Sequence, residues 1–370
     1  MASRTVGMRS TTHHQWSSWT TLTLICFIFL VLTGTLFVYN SSLLESFAQF
    51  GNQYGVLLQH LSGLALGVMS MTLAWFLPAR WMLKISPFLY LIGLLLLLAV
   101  FLPGLGVSVN GASRWIQILG VRLQPVEFFK PSYLIFLAWL LQDGQRALTK
   151  LILTLFIPTI IILLQPDLGS LLILIGGAVL TYILSGASLK KLGILALAGL
   201  PLLILAIVLA PYRLARLTTF FNPESDPLGA SFHIRQITLA LGQGGWLGKG
   251  IGNSAQKFAY IPETSTDSIF AIVGEEVGFL GSGLIIVVFG LMLLGLTQQA
   301  VKSSQKPAVR LAKLGLVSWL GVQIIFNLAS VVGLVPLTGI PLPLFSYGRS
   351  AQVVVWWAVG FILKQDKAKS

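Results

Sequence analysis

Apolar runs recur along almost the whole chain, and their length and number limit the fold more than any other feature of the sequence. They cover roughly 19–39, 55–77, 85–102, 126–141, 151–164, 171–186, 192–210, 269–296, 314–333 and 350–363. A run of about twenty apolar residues matches a helix that crosses a bilayer. Ten such runs in series exceed what one soluble core can hide. Only 9% of the 370 residues are charged and 55% are hydrophobic, whereas a soluble domain carries about a quarter charged residues. The expected fold is therefore an all-α polytopic membrane protein of about ten transmembrane helices. Runs below about seventeen residues are marginal for a full crossing. The pair flanking Gln165-Pro166-Asp167 accordingly reads either as two tilted helices meeting at a shallow turn or as a reentrant pair.

The net charge of +13 does not point to nucleic acid. Lys and Arg gather at the ends of the apolar runs, as membrane topology requires, and form no basic stripe. With the N-terminus in the cytoplasm, fifteen of the 24 fall on inside segments and eight on outside ones, with Lys130 left inside a run. Five of those eight belong to a single long loop, where the bias loses force. An even number of spans places both termini inside. The expected organisation is a cytoplasmic tail at 1–18, one membrane domain at 19–363 and a cytoplasmic tail at 364–370. The run at 19–39 lacks a small-residue cleavage signal and reads as a retained span. Cys26 is the single cysteine, which excludes a disulfide framework and a cysteine metal site. His60 and His233 have no partner at ligand spacing, so no zinc site is assigned.

Between spans 7 and 8 lies a large extracytoplasmic loop, 211–268, which carries four of the eleven acidic residues. Loops of this length are usually functional or disordered, and the aromatics threaded through it argue for order. Its glycine-rich run, Leu241 to Gly250, permits close backbone approach and offers N–H groups that could cradle a phosphate.

Ionisable groups at membrane depth mark function by default. Glu127 and Lys130, at i and i+3, share one helix face; they read as an intrahelical ion pair or as the lining of a polar cavity. Asp167 in QPDLGS reads as a helix cap or as a group facing the loop. Glu275 and Glu276 are adjacent and cannot face the same way. One of them, taken as Glu276, is expected to face the cavity and the other to meet a polar partner. Asp267 ends the loop just before an apolar helix begins at Ile269. It reads as helix-capping chemistry shared with Thr266 and Ser268, or as an acid held at the membrane boundary and aimed inward. Arg114 and Trp115 suit an interfacial anchor.

The segments GASRWIQ, LQPVEFFKPS, LLQPDLGS, FNPESDPLGASFHIRQITLALGQGGWLGKGIGNSAQKFAYIPETSTDSIFAIVGEEVGFLG and TGIPLPLFSYGRS resemble, in order and spacing, those of the SEDS family of RodA, FtsW and SpoVE proteins. The likeness runs over roughly 20–365, and IGNSAQKFAYIPE looks more like the division-type members. It implies a peptidoglycan glycosyltransferase that polymerises lipid II on the outer face of the bacterial cytoplasmic membrane. The implied partners are a class B penicillin-binding protein and other divisome or elongasome membrane proteins. The family's essential acid falls on Asp267, its outer-loop Trp on Trp115, its QPSE-x-x-K pair on Glu127 and Lys130, and its QPD acid on Asp167. Four positions depart from the family pattern: Ser265 stands for a His, Ser268 for a Phe, Val126 for a Ser and Arg349 for a Gly.

Glycan polymerisation joins a sugar 4-hydroxyl to an anomeric carbon and expels undecaprenyl diphosphate. It needs a base, for which Asp267 is the candidate, and positive charge on the leaving group. Arg213, Arg216, Lys249 and Lys130 are candidates for that charge, and a divalent cation such as Mg2+ could share the task. Two other readings remain open: a flippase for the same lipid-linked precursor, and a scaffold for the penicillin-binding protein.

Overall fold

In a computed structural model, described over residues 18–109, 112–118, 120–144, 146–208, 211–222, 230–257, 265–302 and 306–365, helices fall on each of the apolar runs. They are α1 (Ser18–Ser41), α2 (Leu43–Phe50), α3 (Gly55–Phe76), α4 (Ala79–Ala99), α5 (Pro125–Leu141), α6 (Ala147–Leu164), α7 (Leu168–Leu184), α8 (Leu189–Val208), α9 (Pro211–Phe221), α10 (Ala230–Gly244), α11 (Ile269–Lys302), α12 (Pro307–Val331) and α13 (Arg349–Leu363). Among the described residues six of these, α1, α3, α4, α6, α11 and α12, are long and apolar enough to cross a membrane, and α7 and α13 are shorter apolar helices. Most of the two expected tails, 1–17 and 366–370, lies outside the described residues.

The packing follows from what each helix can bury. Helix α3 lies along α13, α1 along α11, and α12 against both α5 and α7. The shared core includes Phe129, Tyr133, Trp319, Phe345 and Phe361, each almost wholly buried. Large apolar side chains also cover the outside: Leu32 is 65% exposed, Phe76 75%, Leu153 66% and Leu197 73%. In water such a belt would drive aggregation; facing lipid it is the expected surface.

Two features depart from a plain helical bundle. The segment between α4 and α5 is a three-stranded antiparallel sheet, β1 (Gly106–Val109), β2 (Ala112–Ile118) and β3 (Val121–Leu123), so the fold is not purely α. Val107 pairs with Trp115 and Ile116 with Leu123. Second, α11 is broken at Gly278 (φ 67, ψ −168). The break frees backbone groups that the chain after α10 satisfies. Lys249 N donates to Glu275 O (3.0 Å) and Gly250 N to Glu276 O (3.0 Å), while Phe279 N donates to Gly245 O (2.9 Å) and Leu280 N to Trp246 O (3.1 Å). Non-helical backbone at membrane depth is tolerated when protein covers it in this way. The glycine-rich run is thus a backbone clamp on α11. Side chains built on Gly244 and Gly248 would come within 2.0 Å of Gly274 O and 2.2 Å of Glu276 O.

Candidate active site

The segment between α12 and α13, residues 332–348, gathers the polar residues singled out in the sequence. Asn327 of α12 donates to both Ile340 O (2.7 Å) and Asp267 O (2.9 Å). Gln323, one turn earlier, donates to Pro341 O (3.1 Å) and accepts from Lys130 Nζ (3.1 Å). Lys130 in turn donates to Glu127 Oε1 (2.8 Å), and both members of this ion pair are buried. A polar seam therefore runs from the Glu127–Lys130 pair through α12 to Asp267. A side chain built on Gly339 would lie 3.9 Å from Asp267 Oδ2, so the loop passes directly over the carboxylate. Arg216 of α9 is tied to the same loop by a bond to Leu337 O (2.9 Å).

Asp267 is 7% exposed and accepts from Ser268 Oγ at 3.2 Å. Ser268 Oγ also lies 2.8 Å from His233 Nε2. Burial, reinforced by the nearby Arg216 charge, lowers the His233 pKa to about 4, so the ring is neutral at ordinary pH. Ser265 donates to Glu45 Oε2 (2.8 Å) and its carbonyl accepts from Tyr347 N (2.8 Å). Ser265 thus links α2 to the segment between α12 and α13.

Asp167 caps α7, accepting from Ser170 N at 3.1 Å. Its other oxygen, Oδ2, is buried and has no hydrogen-bond partner among the described residues; Glu127 Oε2 and Arg114 Nε share that condition. Arg114, on β2, also donates to Pro166 O, which places it beside Asp167. Buried polar atoms left without partners are rare in folded proteins and call for an explanation. Trp115 is half-buried on β2, next to Arg114. The Glu127–Lys130 pair is an intrahelical ion pair, and Glu127 Oε2 has no hydrogen-bond partner among the described residues.

Glu275 meets polar partners, as expected of one of the pair, but Glu276 is engaged as well, because both are captured by the chain that follows α10. Glu275 accepts from Lys249 Nζ (2.8 Å), Ser254 Oγ (2.5 Å) and Ala255 N (3.2 Å). Glu276 accepts from Asn40 Nδ2 (2.5 Å) and Gly252 N (3.0 Å), and pairs with Lys257 Nζ at 3.6 Å. Lys249 is correspondingly engaged with Glu275 and Gln243. These residues pin the loop to α11 and α1. Arg213 lies on α9, but its side chain is not among those described. The sequence reading missed His233 and Asn327 as neighbours of Asp267. His233 stands 34 residues away in a separate helix, and nothing in its local sequence ties it to Asp267.

The arrangement defines a multi-pass membrane protein with a sheltered carboxylate at one end of the bundle, beneath a folded loop to which Arg216 is also bonded. The sequence profile of the FtsW, RodA and SpoVE family, described as cell cycle proteins, matches residues 20–370, and the chain belongs to that family. It is 35% identical over 370 residues to the probable peptidoglycan glycosyltransferase FtsW of Coxiella burnetii, covering 96% of this chain and 97% of that one. It is 34% identical to the stage V sporulation protein E of Bacillus subtilis, covering 94% and 96%. Among solved structures it is similar to a chain from a peptidoglycan synthase complex that coordinates polymerization and crosslinking, with a TM-score of 0.77 and 27% identity over 94% of this chain and 97% of that one. It also resembles the rod shape determining protein RodA of Thermus thermophilus, with a TM-score of 0.69 and 25% identity over 94% and 96%.

Proposed function

We propose that the chain is a peptidoglycan glycosyltransferase that polymerises lipid II at the outer face of the bacterial cytoplasmic membrane. The observation that carries this reading is Asp267, a carboxylate sheltered from water by the outer loop, with Arg216 tied to the same loop. Its nearly full-length likeness to proteins named peptidoglycan glycosyltransferases supports it. In this account the ten helices that fall on the apolar runs, α1, α3–α8 and α11–α13, all cross the membrane, both termini are cytoplasmic, and 211–268 with 332–348 forms the outer cap.

Asp267 takes the proton from the acceptor sugar 4-hydroxyl as its oxygen attacks the donor's anomeric carbon; undecaprenyl diphosphate leaves with the bonding electron pair. A correctly placed general base supplies a factor of about 10² to 10⁴. Arg216, with Arg213 on the same helix and Lys130 at the foot of the seam, neutralises the diphosphate in a low-dielectric setting. The unsatisfied atoms of Glu127, Asp167 and Arg114, with Trp115 beside them, suit recognition of the sugar and peptide portions. Lys249 and Glu276 contribute by holding the loop in place. Among the described residues no three His, Cys, Asp or Glu side chains converge as a metal site; a divalent cation would be carried by the diphosphate oxygens. A class B penicillin-binding protein is the proposed partner, in keeping with the similar chain from a peptidoglycan synthase complex.

The test is glycan-strand formation from lipid II by the purified protein, with and without that partner. Polymer establishes the enzyme. Movement of lipid II across vesicle membranes without polymer establishes a flippase, and partner binding without either establishes a scaffold.

A further inference from the structure

Ser268 has a single hydroxyl hydrogen, and an ionised Asp267 can only accept. Oγ donates to Asp267 Oδ1 at 3.2 Å, so the 2.8 Å contact with His233 Nε2 must be donated by the ring. His233 therefore carries a proton on Nε2, and two donors in series point at one oxygen of Asp267. Ser268 is fully buried and Asp267 nearly so, which keeps water from competing for these bonds. His233 reaches in from α10, which packs along α11 and against α9. Among the described residues, the charged groups that bear on the ring are Arg216 from α9 and Asp267 at the head of α11. Farther along α11, Glu275 is engaged by Lys249, and Arg235 on α10 itself is exposed.

We propose that His233 and Ser268 are positioning residues for the glycosyl transfer, a hydrogen-bonded relay that holds Asp267 ionised and aimed at the acceptor hydroxyl. This rests on Asp267 being the base. Hydrogen bonds donated to a carboxylate favour its charged form, and a fixed donor chain also restricts its rotamer. Because the ring is neutral down to about pH 4, the direction of donation is the same throughout the working range. The relay exists only while α10 is seated on α11, so the seating of that outer-loop helix completes the catalytic geometry.

The experiment is the pH dependence of glycan-strand formation from lipid II, from about pH 5 to 9, by the full-length protein with its penicillin-binding partner. Wild type is compared with Ser268→Ala, His233→Ala, the double variant and His233→Gln. Each alanine variant is expected to move the acid limb of the rate profile up by about one pH unit and to lower kcat about tenfold near its foot, with KM little changed. The double variant should match the singles, since the two residues act as one chain. His233→Gln, whose amide can donate, should bring the limb back toward its original place. An unmoved limb, losses that multiply in the double variant, or an effect on KM alone would overturn the relay. Asp267→Asn separates the two ideas. If it is inactive while the alanine variants keep the wild-type limb, only the relay fails; if it turns over freely, the base assignment itself fails. Should Ser268→Ala not fold, the half-buried His233 variants carry the same comparison.

Discussion

Gly278→Ala tests how the break in α11 is held. At φ 67 and ψ −168 an alanine occupies backbone space that is essentially glycine's alone, which costs about 1–3 kcal/mol. Its Cβ would also stand 2.3 Å from Gly248 N and 2.7 Å from Leu247 C. These are backbone atoms of the clamp, so relief requires the loop to move off the helix. Four backbone hydrogen bonds of 2.9 to 3.1 Å cross that contact, each worth about 1 kcal/mol net and more when a buried group is left unpaired. Losing two of them beside the strain gives a destabilisation of about 3–5 kcal/mol. Chemical unfolding in detergent, followed by tryptophan fluorescence, measures it. Gly283→Ala on the same helix is the control, because a side chain built there meets nothing within 4 Å; it should be neutral or slightly stabilising, by up to about 1 kcal/mol. If Gly278→Ala unfolds with Gly283→Ala and wild type, the clamp does not hold α11 as described.

Lys257→Met strands Glu276, which is buried against Asn40 and the loop; removing one partner of a buried ion pair costs about 3 kcal/mol, and adding Glu276→Gln should recover part of that in a double-mutant cycle. His233 gives the seating of α10 a pH dependence. Its pKa is lowered from 6.5 to about 4 on folding, so the unfolded chain takes up the proton first. The stability it supports is complete above about pH 6.5 and drains away as pH falls toward 4, by up to about 3 kcal/mol. Unfolding measured across that interval should show the loss, and His233→Gln should flatten it.

The membrane helices were legible because each is a continuous apolar run, and no other structure satisfies backbone groups in lipid. The sheet at 106–123 was legible in principle: β1 and β2 flank Asn110-Gly111, a strong hairpin signal, but the apolar runs on either side dominated the reading. Asp267, Asp167 and the Glu127–Lys130 pair stood out as charges where charge is expensive. The attachment of Asp267 and of the Glu127–Lys130 pair to the 332–348 loop could not be read, because Gln323 and Asn327 look like ordinary polar residues on an apolar helix until their carbonyl partners are known. Glu275 and Glu276 misled for the opposite reason. Two carboxylates at membrane depth suggest a cavity, yet the partners that neutralise them lie about twenty to thirty residues earlier, in the loop, and on α1. The glycine-rich run likewise offered free N–H groups in the sequence, whereas in the fold those of Lys249 and Gly250 are bound to α11.

The central claim is that Asp267 is the base for glycan polymerisation, and the most direct measurement is the turnover of lipid II by Asp267→Asn beside wild type, with partner binding and thermal unfolding monitored on the same samples. The account predicts a loss of at least about a hundredfold in a variant that stays folded and still binds its partner. Asparagine is nearly isosteric but cannot accept the proton, so turnover near the wild-type rate would contradict the assignment.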